Sequence, residues 1–436
     1  MIVTKFGGSS LASATQLKKV KNIIAANPDR QVVVVSAPGK RDSSDYKITD
    51  LLYTLRSHFK YGIPDDGIRE MIIERYTKIK EELDLDIDIE KEINEFFKSC
   101  SKKTNTATVV SRGEYFSAKL VAKFLGFAFV DAADILTFNF DGKIDYEKSK
   151  QAVIEAIDKY GNIVVPGFYG AYPDGDIHLL SRGGSDVTGA WLAAFLDADV
   201  YENWTDVSGI YAADPRIARG ARTIKTITYE ELREMSYMGA NVLHEDSILP
   251  CQKADIPINI LNTNDPENSG TIITSEAVHL HPITGIAGKQ GYVSFIVNKE
   301  HIAGEVGFIY RLLSIFNKYD VSVEHIPTGM DTVSIVTYSD EVKNCTHKIV
   351  ADIANEFDCE VYVERDIALI ALVGRQMQGS VGISAKIFEI LRDENINVKM
   401  MVQTPDEMTL VVGVDDEDST TAIAALYEGL SEANLL

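Results

Sequence analysis

Two glycine-rich segments of this chain carry charged side chains of the kind that bind phosphate. The first reads KFGGSS at residues 5–10, with Lys5 at the end of a predicted strand and Gly7 and Gly8 in the turn that follows. Adjacent glycines let backbone N–H groups approach an anion closely, and a helix N-terminus beyond them adds a favourable dipole. The segment is neither a P-loop nor a GxGxxG motif, and an ordinary tight turn is the alternative interpretation.

The second segment reads SRGGSDVTGA at residues 181–190 and leads into a predicted helix at 190–196. Arg182 offers bidentate recognition of a carboxylate or a phosphate. Asp186 could orient Lys5, hold a metal near phosphates, or simply cap the helix. Two such helix N-termini favour phosphoryl transfer, because that reaction depends on positioning and charge neutralisation more than on covalent catalysis.

Two further segments add candidate binding groups. SRGEY at 111–115 follows a predicted strand at 108–111, and its Glu114 could accept a substrate ammonium or form a surface pair with Arg112. TDVSGIYAADPR at 205–216 follows another predicted strand, and its small, polar and aromatic residues suit a nucleotide base and ribose. The sequence lacks a GxSxG elbow, a second histidine at helical spacing after His-Glu, and any zinc-type cysteine or histidine spacing.

The elements that must position these side chains alternate between short β-branched runs and helical patterns. This alternation is typical of an α/β fold around a mainly parallel sheet. A helix is predicted at 11–26 and strands at 2–6, 31–36, 108–111, 128–131, 162–166 and 198–202. Residues 61–103 interrupt the alternation with a helical pattern rich in Glu, Lys and Ile, which we interpret as a solvated helical insertion, with a partner surface as the alternative.

The C-terminal part contains an internal repeat. Residues 307–323 align without gaps to residues 382–398, so that Phe308 matches Ile383 and Leu312 matches Ile387. Each copy reads as an amphipathic helix, a strand, a turn, a second strand and a second helix. The repeat therefore predicts two small α+β modules with a βαββα order, against the alternative of a chance alignment.

Length and composition exclude several classes of protein. The chain has 436 residues, enough for about two to four domains. It carries 43 Lys and Arg against 65 Asp and Glu, a net charge of −22, which argues against nucleic acid or an anionic membrane as a partner. The four cysteines show no CxxC spacing and no secretory signal precedes them, so a cytoplasmic protein with reduced thiols is expected. Because the net charge is negative, any phosphate site must concentrate positive charge locally.

Taken together and in this order, the segments resemble the aspartate kinase family. The family pattern K-F-G-G-[ST]-S is matched at 5–10, R-G-E at 112–114, G-R-G-G-S-D at 181–186 with serine in place of the first glycine, and T-D-V-x-G-[IV]-Y-x-x-D-P-R at 205–216. The tail resembles the family's tandem ACT domains. The resemblance implies an amino-acid-kinase-like domain at 1–285, with a mainly parallel sheet sandwiched by helices and an insertion at 61–103, followed by ferredoxin-like ACT domains at 286–366 and 367–436.

The resemblance also implies a function and a site. The function is ATP- and Mg²⁺-dependent phosphorylation of the β-carboxylate of L-aspartate by a monofunctional enzyme, the first step of lysine, threonine and methionine biosynthesis. By resemblance, Glu114 would hold the substrate ammonium, Arg182 its α-carboxylate, and Asp186 would organise Lys5 and magnesium. The implied positions are, for catalysis, Lys5, Arg182 and Asp186; for aspartate, Ser36, Thr49, Glu114, Arg182 and Ser185; and for ATP, Lys5, Gly7, Gly8, Thr205, Asp206, Tyr211 and Arg216.

Departures from the family pattern leave alternatives open. Asn241 stands where many members have a lysine that reaches ATP, and the turn at Thr328 lacks a common T-S-E sequence. A glutamate-directed kinase and a non-catalytic amino-acid sensor are the rival interpretations. ACT domains imply a homodimer or homotetramer with an amino-acid effector at their interface, lysine before threonine or both, at residues 304–311 and 321–328.

Overall fold

The fold is that of a computed structural model, which describes residues 1–181, 183–240, 243, 245–277 and 280–436, with the side chains of Asp66 and Glu245 left aside. The chain divides into two compact units. The first comprises residues 1–210, 223–229 and 242–277, and the second comprises residues 211–222, 230–241 and 278–436.

Up to residue 277 the chain alternates strands and helices, except that five helices follow one another between residues 48 and 125. The strands are β1 (Ile2–Phe6), β2 (Arg30–Val35), β3 (Ala128–Phe129), β4 (Ile163–Pro166), β5 (Tyr169–Ala171), β6 (Ile177–Leu179), β7 (Val200–Thr205), β8 (Thr226–Thr228), β9 (Ile258–Asn262) and β10 (Thr271–Thr274). The helices are α1 (Ala14–Ala25), α2 (Ile48–Tyr61), α3 (Asp66–Glu82), α4 (Ile89–Ser99), α5 (Thr106–Val110), α6 (Arg112–Leu125), α7 (Ala132–Ile135), α8 (Tyr146–Tyr160), α9 (Gly184–Phe195), α10 (Tyr229–Tyr237) and α11 (Glu245–Ala254).

The first unit is built on an eight-stranded sheet with the order β3-β4-β2-β1-β7-β9-β10-β8. The pairs from β3 through β9 are parallel, and β10 runs antiparallel to β9. From β1 the chain continues to β2 on one side, whereas from β7 it continues to β8 and then β9 on the other. The carboxyl ends of β1 and β7 therefore flank the switch point at which open α/β sheets bind ligands.

Alternation along the central strands sends neighbouring side chains to opposite faces of the sheet. Phe6 and Trp204 belong to the core that α1 to α6 cover, and their rings stack with centroids 6.0 Å apart. Lys5 and Asn203, each one position earlier, are register partners on β1 and β7. Their side chains meet Asp186 in the first turn of α9. The period-2 pattern thus separates the apolar core from a polar site on the other face.

The inserted segment forms helices α3 and α4, which confirms the helical prediction for this stretch. The insertion is solvated on one side only, because one face of each helix is buried. On α3 the buried residues include Ile72, Arg75, Tyr76 and Ile79. On α4, Ile89, Ile93 and Phe97 join the same core as α1, α2 and α6.

The second unit contains an antiparallel five-stranded sheet with the order β12-β11-β13-β15-β14. Its elements are β11 (Gly285–Asn298), α12 (Phe308–Lys318), β12 (Thr332–Tyr338), α13 (Ser339–Val342), α14 (Thr346–Phe357), β13 (Glu360–Val373), α15 (Ile383–Asp393), β14 (Met400–Gln403), β15 (Thr409–Asp415) and α16 (Ser419–Glu432). The long strands β11 and β13 pair from Gly285↔Val373 to Asn298↔Glu360, so one continuous sheet serves both modules.

The internal repeat is visible in matched local structure. Helices α12 and α15 each begin after a glycine with positive φ, at Gly307 (φ 80°) and Gly382 (φ 93°). Phe308 and Ile383 are both buried, as are Leu312 and Ile387. The copies differ after the first helix, because β14 is a strand whereas residues 321–328 make only isolated bridges, His325↔Val336 and Thr328↔Val333.

The predicted strand at 108–111 is wrong, because this segment is part of helix α5 and the turn after it. Asn105 caps the helix, its side chain accepting a hydrogen bond from the Thr108 N–H at 2.7 Å, and Val109 and Val110 are buried. The other strands predicted up to residue 202 are confirmed, with ends displaced by a few residues. The strand predicted after the first helix of the first repeat copy is not formed, since residues 321–328 make only isolated bridges. Among the described helices, none has the length and apolar character needed to cross a bilayer. The cytoplasmic location stays a prediction.

Candidate active site

A cavity of about 550 Å³ lies at the carboxyl ends of the central parallel strands. It is lined by six of the predicted site residues, namely Lys5, Ser36, Thr49, Glu114, Ser185 and Asp186. These residues come from β1, the turn after β2, and the N-termini of α2, α6 and α9. Because parallel strands deliver their following loops to one edge of the sheet, residues far apart in sequence converge there.

One end of the cavity contains a buried ion pair. The Lys5 ammonium lies 2.5 Å from Asp186 Oδ1, and the Asn203 amide donates a hydrogen bond of 2.7 Å to the same oxygen. Asn203 Oδ1 also accepts from Lys5 Nζ at 3.5 Å. Lys5 is only 7% exposed. Its charge is thus held in place before any ligand arrives, which suits a group that neutralises phosphate.

The N-terminus of α9 presents Asp186 to this ion pair. Gly183 takes φ 72° and starts the helix, which places Ser185 and Asp186 in its first turn. A Cβ on Gly167 would lie 2.6 Å from the Ser185 Cβ, so glycine permits the close approach of β4's loop to this turn. The Tyr201 hydroxyl donates to the Asp186 carbonyl at 3.1 Å and anchors the helix on β7.

The other end of the cavity contains a buried acid. Glu114 lies in the first turn of α6 and is 5% exposed. Its Oε1 accepts a hydrogen bond from the Ala37 N–H at 3.1 Å, whereas its buried Oε2 has no partner among the described residues. Burial raises the pKa of Glu114 to about 8, and the hydrogen bond from Ala37 offsets only part of that shift. The surface pair with Arg112 is therefore excluded, and a bound cation would satisfy the free oxygen.

The first glycine-rich turn packs against the loop after β2. The Gly39 N–H donates to the Gly8 carbonyl at 2.8 Å, and a Cβ on Gly8 would lie 2.9 Å from the Ala37 carbonyl oxygen. A Cβ on Gly7 would come within 3.5 Å of Lys5 Nζ. The backbone of residues 7 and 8 thus lies beside the Lys5 ammonium, as a phosphate-binding turn requires.

The predicted nucleotide residues are placed in different parts of the structure. Asp206 lines a second cavity of about 390 Å³ together with Ser9 of the glycine-rich turn. Thr205 ends β7, and its hydroxyl donates to Asp206 at 3.2 Å. Tyr211 and Arg216 belong to the second unit, where Arg216 pairs with Asp214 at 2.6 Å. Their role in binding ATP stays a prediction.

Two residues singled out in the sequence are not among those that the structure describes, and four residues at the site were not predicted. Arg182 and Asn241 fall outside the described residues, so the role predicted for Arg182 and the consequence of Asn241 remain untested. Lys47, Tyr53 and Phe168 line the first cavity without having been predicted. Asn203 was missed too, although a polar residue inside a run of buried strand positions is a signal that could have found it.

The cavity could hold the magnesium and phosphates that the resemblance implies. Mg²⁺ usually binds proteins through one or two carboxylates and completes its shell with phosphate and water. Asp186 supplies such a carboxylate at the Lys5 end, and both of its described side-chain contacts use Oδ1. Oδ2 is the oxygen that would face a cation, so this donor set fits Mg²⁺ bound to a nucleotide.

Comparison with known proteins agrees with this architecture. The profile of the family described as Amino acid kinase family matches residues 1–262, and that of the ACT domain matches residues 370–430. Aspartokinase 3 of Bacillus subtilis (strain 168) is 35% identical, with 98% of each chain covered.

Two solved structures extend the likeness over the full length. The aspartate kinase of Clostridium acetobutylicum has a TM-score of 0.91 at 43% identity, covering 98% of this chain and 99% of that one. Escherichia coli aspartokinase III in complex with lysine and aspartate has a TM-score of 0.74 at 25% identity, covering 99% of both chains. The predicted fold class is confirmed, and this chain belongs to the amino acid kinase family and, within it, to the aspartokinases.

Proposed function

We propose that this protein transfers the γ-phosphoryl group of ATP to the β-carboxylate of L-aspartate and yields 4-phospho-L-aspartate and ADP. The observation that carries the proposal is one cavity with a buried, paired cation at Lys5 and a buried acid at Glu114, whose Oε2 has no partner among the residues that the structure describes. A cation for phosphate and an acid for an ammonium are what phosphorylation of an amino acid needs. Membership of the aspartokinases supports aspartate as that amino acid.

The mechanism rests on charge rather than on a general base. A free aspartate side chain has a pKa of about 3.9, so the nucleophilic oxygen is already ionised at neutral pH. It attacks the γ-phosphorus, and the bond to the β–γ bridging oxygen breaks with ADP as the leaving group. At ~4 Å and an effective dielectric constant of about 20, each like-charge contact costs about 4 kcal/mol. Lys5 offsets part of this repulsion, and Mg²⁺, when bound, would neutralise phosphate charge.

Aspartate binding is assigned to the Glu114 end of the cavity. Glu114 Oε2 would receive the α-ammonium, and Ser36, Thr49 and Ser185 offer polar groups along the lining. Arg182 is the proposed partner of the α-carboxylate. For ATP, we propose the backbone of Gly7 and Gly8 with Lys5, followed by Thr205, Asp206, Tyr211 and Arg216.

A hydroxylamine-trapping assay tests this function. With ATP and Mg²⁺, the protein should form aspartyl hydroxamate from L-aspartate and far less product from L-glutamate, and Lys5→Met should abolish most of the signal. Equal or better turnover of glutamate would favour a glutamate-directed kinase. Absence of turnover with both amino acids would favour a non-catalytic sensor.

We further propose feedback inhibition through the ACT modules, with lysine as effector and a homodimer or homotetramer as the assembly, in the biosynthesis of lysine, threonine and methionine. The E. coli relative in complex with lysine supports this choice. Around the predicted effector segments, Val306, Tyr310 and Met330 are 98%, 77% and 76% exposed, as expected of side chains that a partner module covers. Activity titrations with lysine, threonine and methionine, with the mass in solution measured in parallel, decide this proposal; no response to any of them would defeat it.

A further inference from the structure

Helix α3 of the insertion buries two adjacent polar side chains, Arg75 and Tyr76. They are 3% and 0% exposed. Successive residues on a helix point about 100° apart, so these neighbours reach different parts of the structure. Both contact segments that border the active site.

Arg75 contacts the loop between β2 and α2. Its Nη1 donates to the Gly39 carbonyl at 2.7 Å, and its Nη2 donates to both carboxylate oxygens of Asp45 at 2.6 Å. Gly39 in turn donates its N–H to the Gly8 carbonyl. A continuous path of contacts therefore runs from α3 to the glycine-rich turn beside Lys5.

Tyr76 contacts the segment that carries the buried acid. Its hydroxyl donates to the Gly113 carbonyl at 2.7 Å, one residue before Glu114. A Cβ on Gly113 would lie 2.9 Å from the Ala37 Cβ, and the Ala37 N–H donates to Glu114. Tyr76 thus supports the start of α6 at the point where Glu114 and residue 37 meet.

Simple packing does not require these residue types. Burying a guanidinium is costly even when it is paired, and apolar residues of similar volume often stabilise a core as well or better. Ile72 and Ile79 already supply the apolar contacts of this helix face. Arg75 instead makes a fork of directed hydrogen bonds to two points of one loop, which a lysine could not reproduce.

We propose that helix α3 positions both ends of the active site: Arg75 holds the loop that abuts Gly8 and so affects the use of ATP, and Tyr76 holds the Gly113 carbonyl and so affects aspartate binding through Glu114. Tyr76 lines neither of the two cavities and contacts the Gly113 carbonyl, so it is a positioning residue. Arg75 does not line the cavity that contains Lys5 and Glu114, but it lines the second cavity with Ser9 and Asp206. Its guanidinium donates to Gly39 and Asp45, so its proposed effect on ATP is exerted through that loop. The expected effects on KM rest on the proposed function. If they are observed, the insertion is part of the catalytic unit rather than a peripheral addition.

Two conservative substitutions test the proposal by opposite kinetic effects. Arg75→Lys should raise the KM for ATP about three- to tenfold and change the KM for aspartate little, as expected for the loss of one or two hydrogen bonds. Tyr76→Phe should raise the KM for aspartate about three- to tenfold and change the KM for ATP little. Arg75→Met should exceed Arg75→Lys in the same direction.

Matched controls come from the same unit. Arg69→Lys changes an arginine of the same helix that pairs with Asp65 at 2.9 Å, and Tyr229→Phe removes a buried hydroxyl that donates to the Ile256 carbonyl. Both controls should leave the two KM values unchanged, even where they lower Tm. If Arg75→Lys and Tyr76→Phe behave like these controls, or if both move the same KM, the proposal is overturned.

Hydrogen exchange separates this inference from the proposed function. Arg75→Lys should accelerate exchange in residues 38–46, and Tyr76→Phe should accelerate it in residues 111–116, each without the other. A wild-type protein that does not turn over aspartate would defeat the function, and the exchange pattern would still decide the positioning. Uniform exchange changes, or none in these two segments, would contradict it.

Discussion

The charged groups at the two ends of the active-site cavity are equally buried, but they differ in how many hydrogen-bond and ion-pair partners they have. Lys5 and Glu114 are 7% and 5% exposed, so exposure does not distinguish them. Lys5 has Asp186 at 2.5 Å and Asn203 nearby, whereas Glu114 has one backbone hydrogen bond and an Oε2 without a partner in the described part of the chain. Lys5 is therefore already paired with an anion of the protein, whereas Glu114 would gain a cationic partner only from a ligand.

This difference suits the two tasks that the proposal assigns to the ends. A group that neutralises charge during phosphoryl transfer works best when it is fixed beforehand, since no reorganisation is then needed in the reaction. A group that recognises a substrate gains selectivity when its pairing is completed only by that substrate. We therefore expect substitutions at the Lys5 end to lower kcat, and substitutions at the Glu114 end to raise the KM for aspartate.

The largest effect is expected for Lys5→Met. Loss of one preorganised charge in a buried site lowers kcat by about 10²- to 10³-fold. The KM for aspartate should stay within a few-fold of the wild-type value, because Lys5 acts on phosphate. Steady-state kinetics with both substrates varied provide the measurement, and an unchanged kcat would refute the role of Lys5.

Glu114→Ala should have the next largest effect, on the other end. A charge-assisted pair of about 1.5–3 kcal/mol corresponds to a rise of roughly 10- to 100-fold in the KM for aspartate. At saturating aspartate, kcat should fall much less. The same kinetic experiment measures both parameters, and a loss confined to kcat would reverse the assignment of the two ends.

The pH dependence of aspartate use should follow the ionisation of Glu114. Burial raises the pKa of Glu114 to about 8, so the free enzyme carries mostly the protonated acid at pH 7. The ionised form binds the ammonium, and kcat/KM for aspartate should therefore rise about tenfold per pH unit below pH 8 and level off above it. Profiles of kcat/KM from pH 6 to 9 measure this, and Glu114→Gln should flatten the rise. A wild-type profile that is already flat from pH 6 would mean that Glu114 is ionised in the free enzyme.

The smallest effect is expected for Asn203→Ala. The Asn203 amide joins Lys5 and Asp186 but carries no charge, so its removal should lower kcat only about three- to tenfold. The aspartate KM should not move. Kinetics of this variant beside Asn259→Ala, which changes the neighbouring strand β9, provide the control, and an effect as large as that of Lys5→Met would mean that Asn203 itself contacts the substrates.

Much of the framework could be predicted from sequence because strong local patterns coincide with the sheet. The buried run of β2 and the turn after β1 are bounded by polar or glycine-rich residues, and the matched helices α12 and α15 repeat one apolar pattern. The run at 108–111 misled because three of its four residues are β-branched. A capping Asn105 and tertiary packing outweigh their strand preference.

The site itself was only partly predictable. The motifs placed Lys5 at a strand end and Asp186 at a helix N-terminus, and the converging edge of the sheet brings both to one cavity. Glu114 lines the same cavity, although the segment before it is helix α5 and not the predicted strand. Contacts between distant segments left no local signal, such as Arg75 on the Gly39 carbonyl or Tyr76 on the Gly113 carbonyl. A helical pattern rich in charges looks solvated, and only the tertiary structure distinguishes the buried charge from the exposed ones.

Proton release on aspartate binding shows whether the substrate ionises Glu114. Calorimetric titration of aspartate at pH 7, in two buffers of different ionisation enthalpy, counts the protons exchanged when the ligand binds. Since Glu114 with a pKa of about 8 is mostly protonated before binding and would be ionised against the ammonium, release of most of one proton per aspartate is expected. Glu114→Gln should release none. Binding by the wild-type protein without proton release would contradict the account of a buried acid that the substrate ionises.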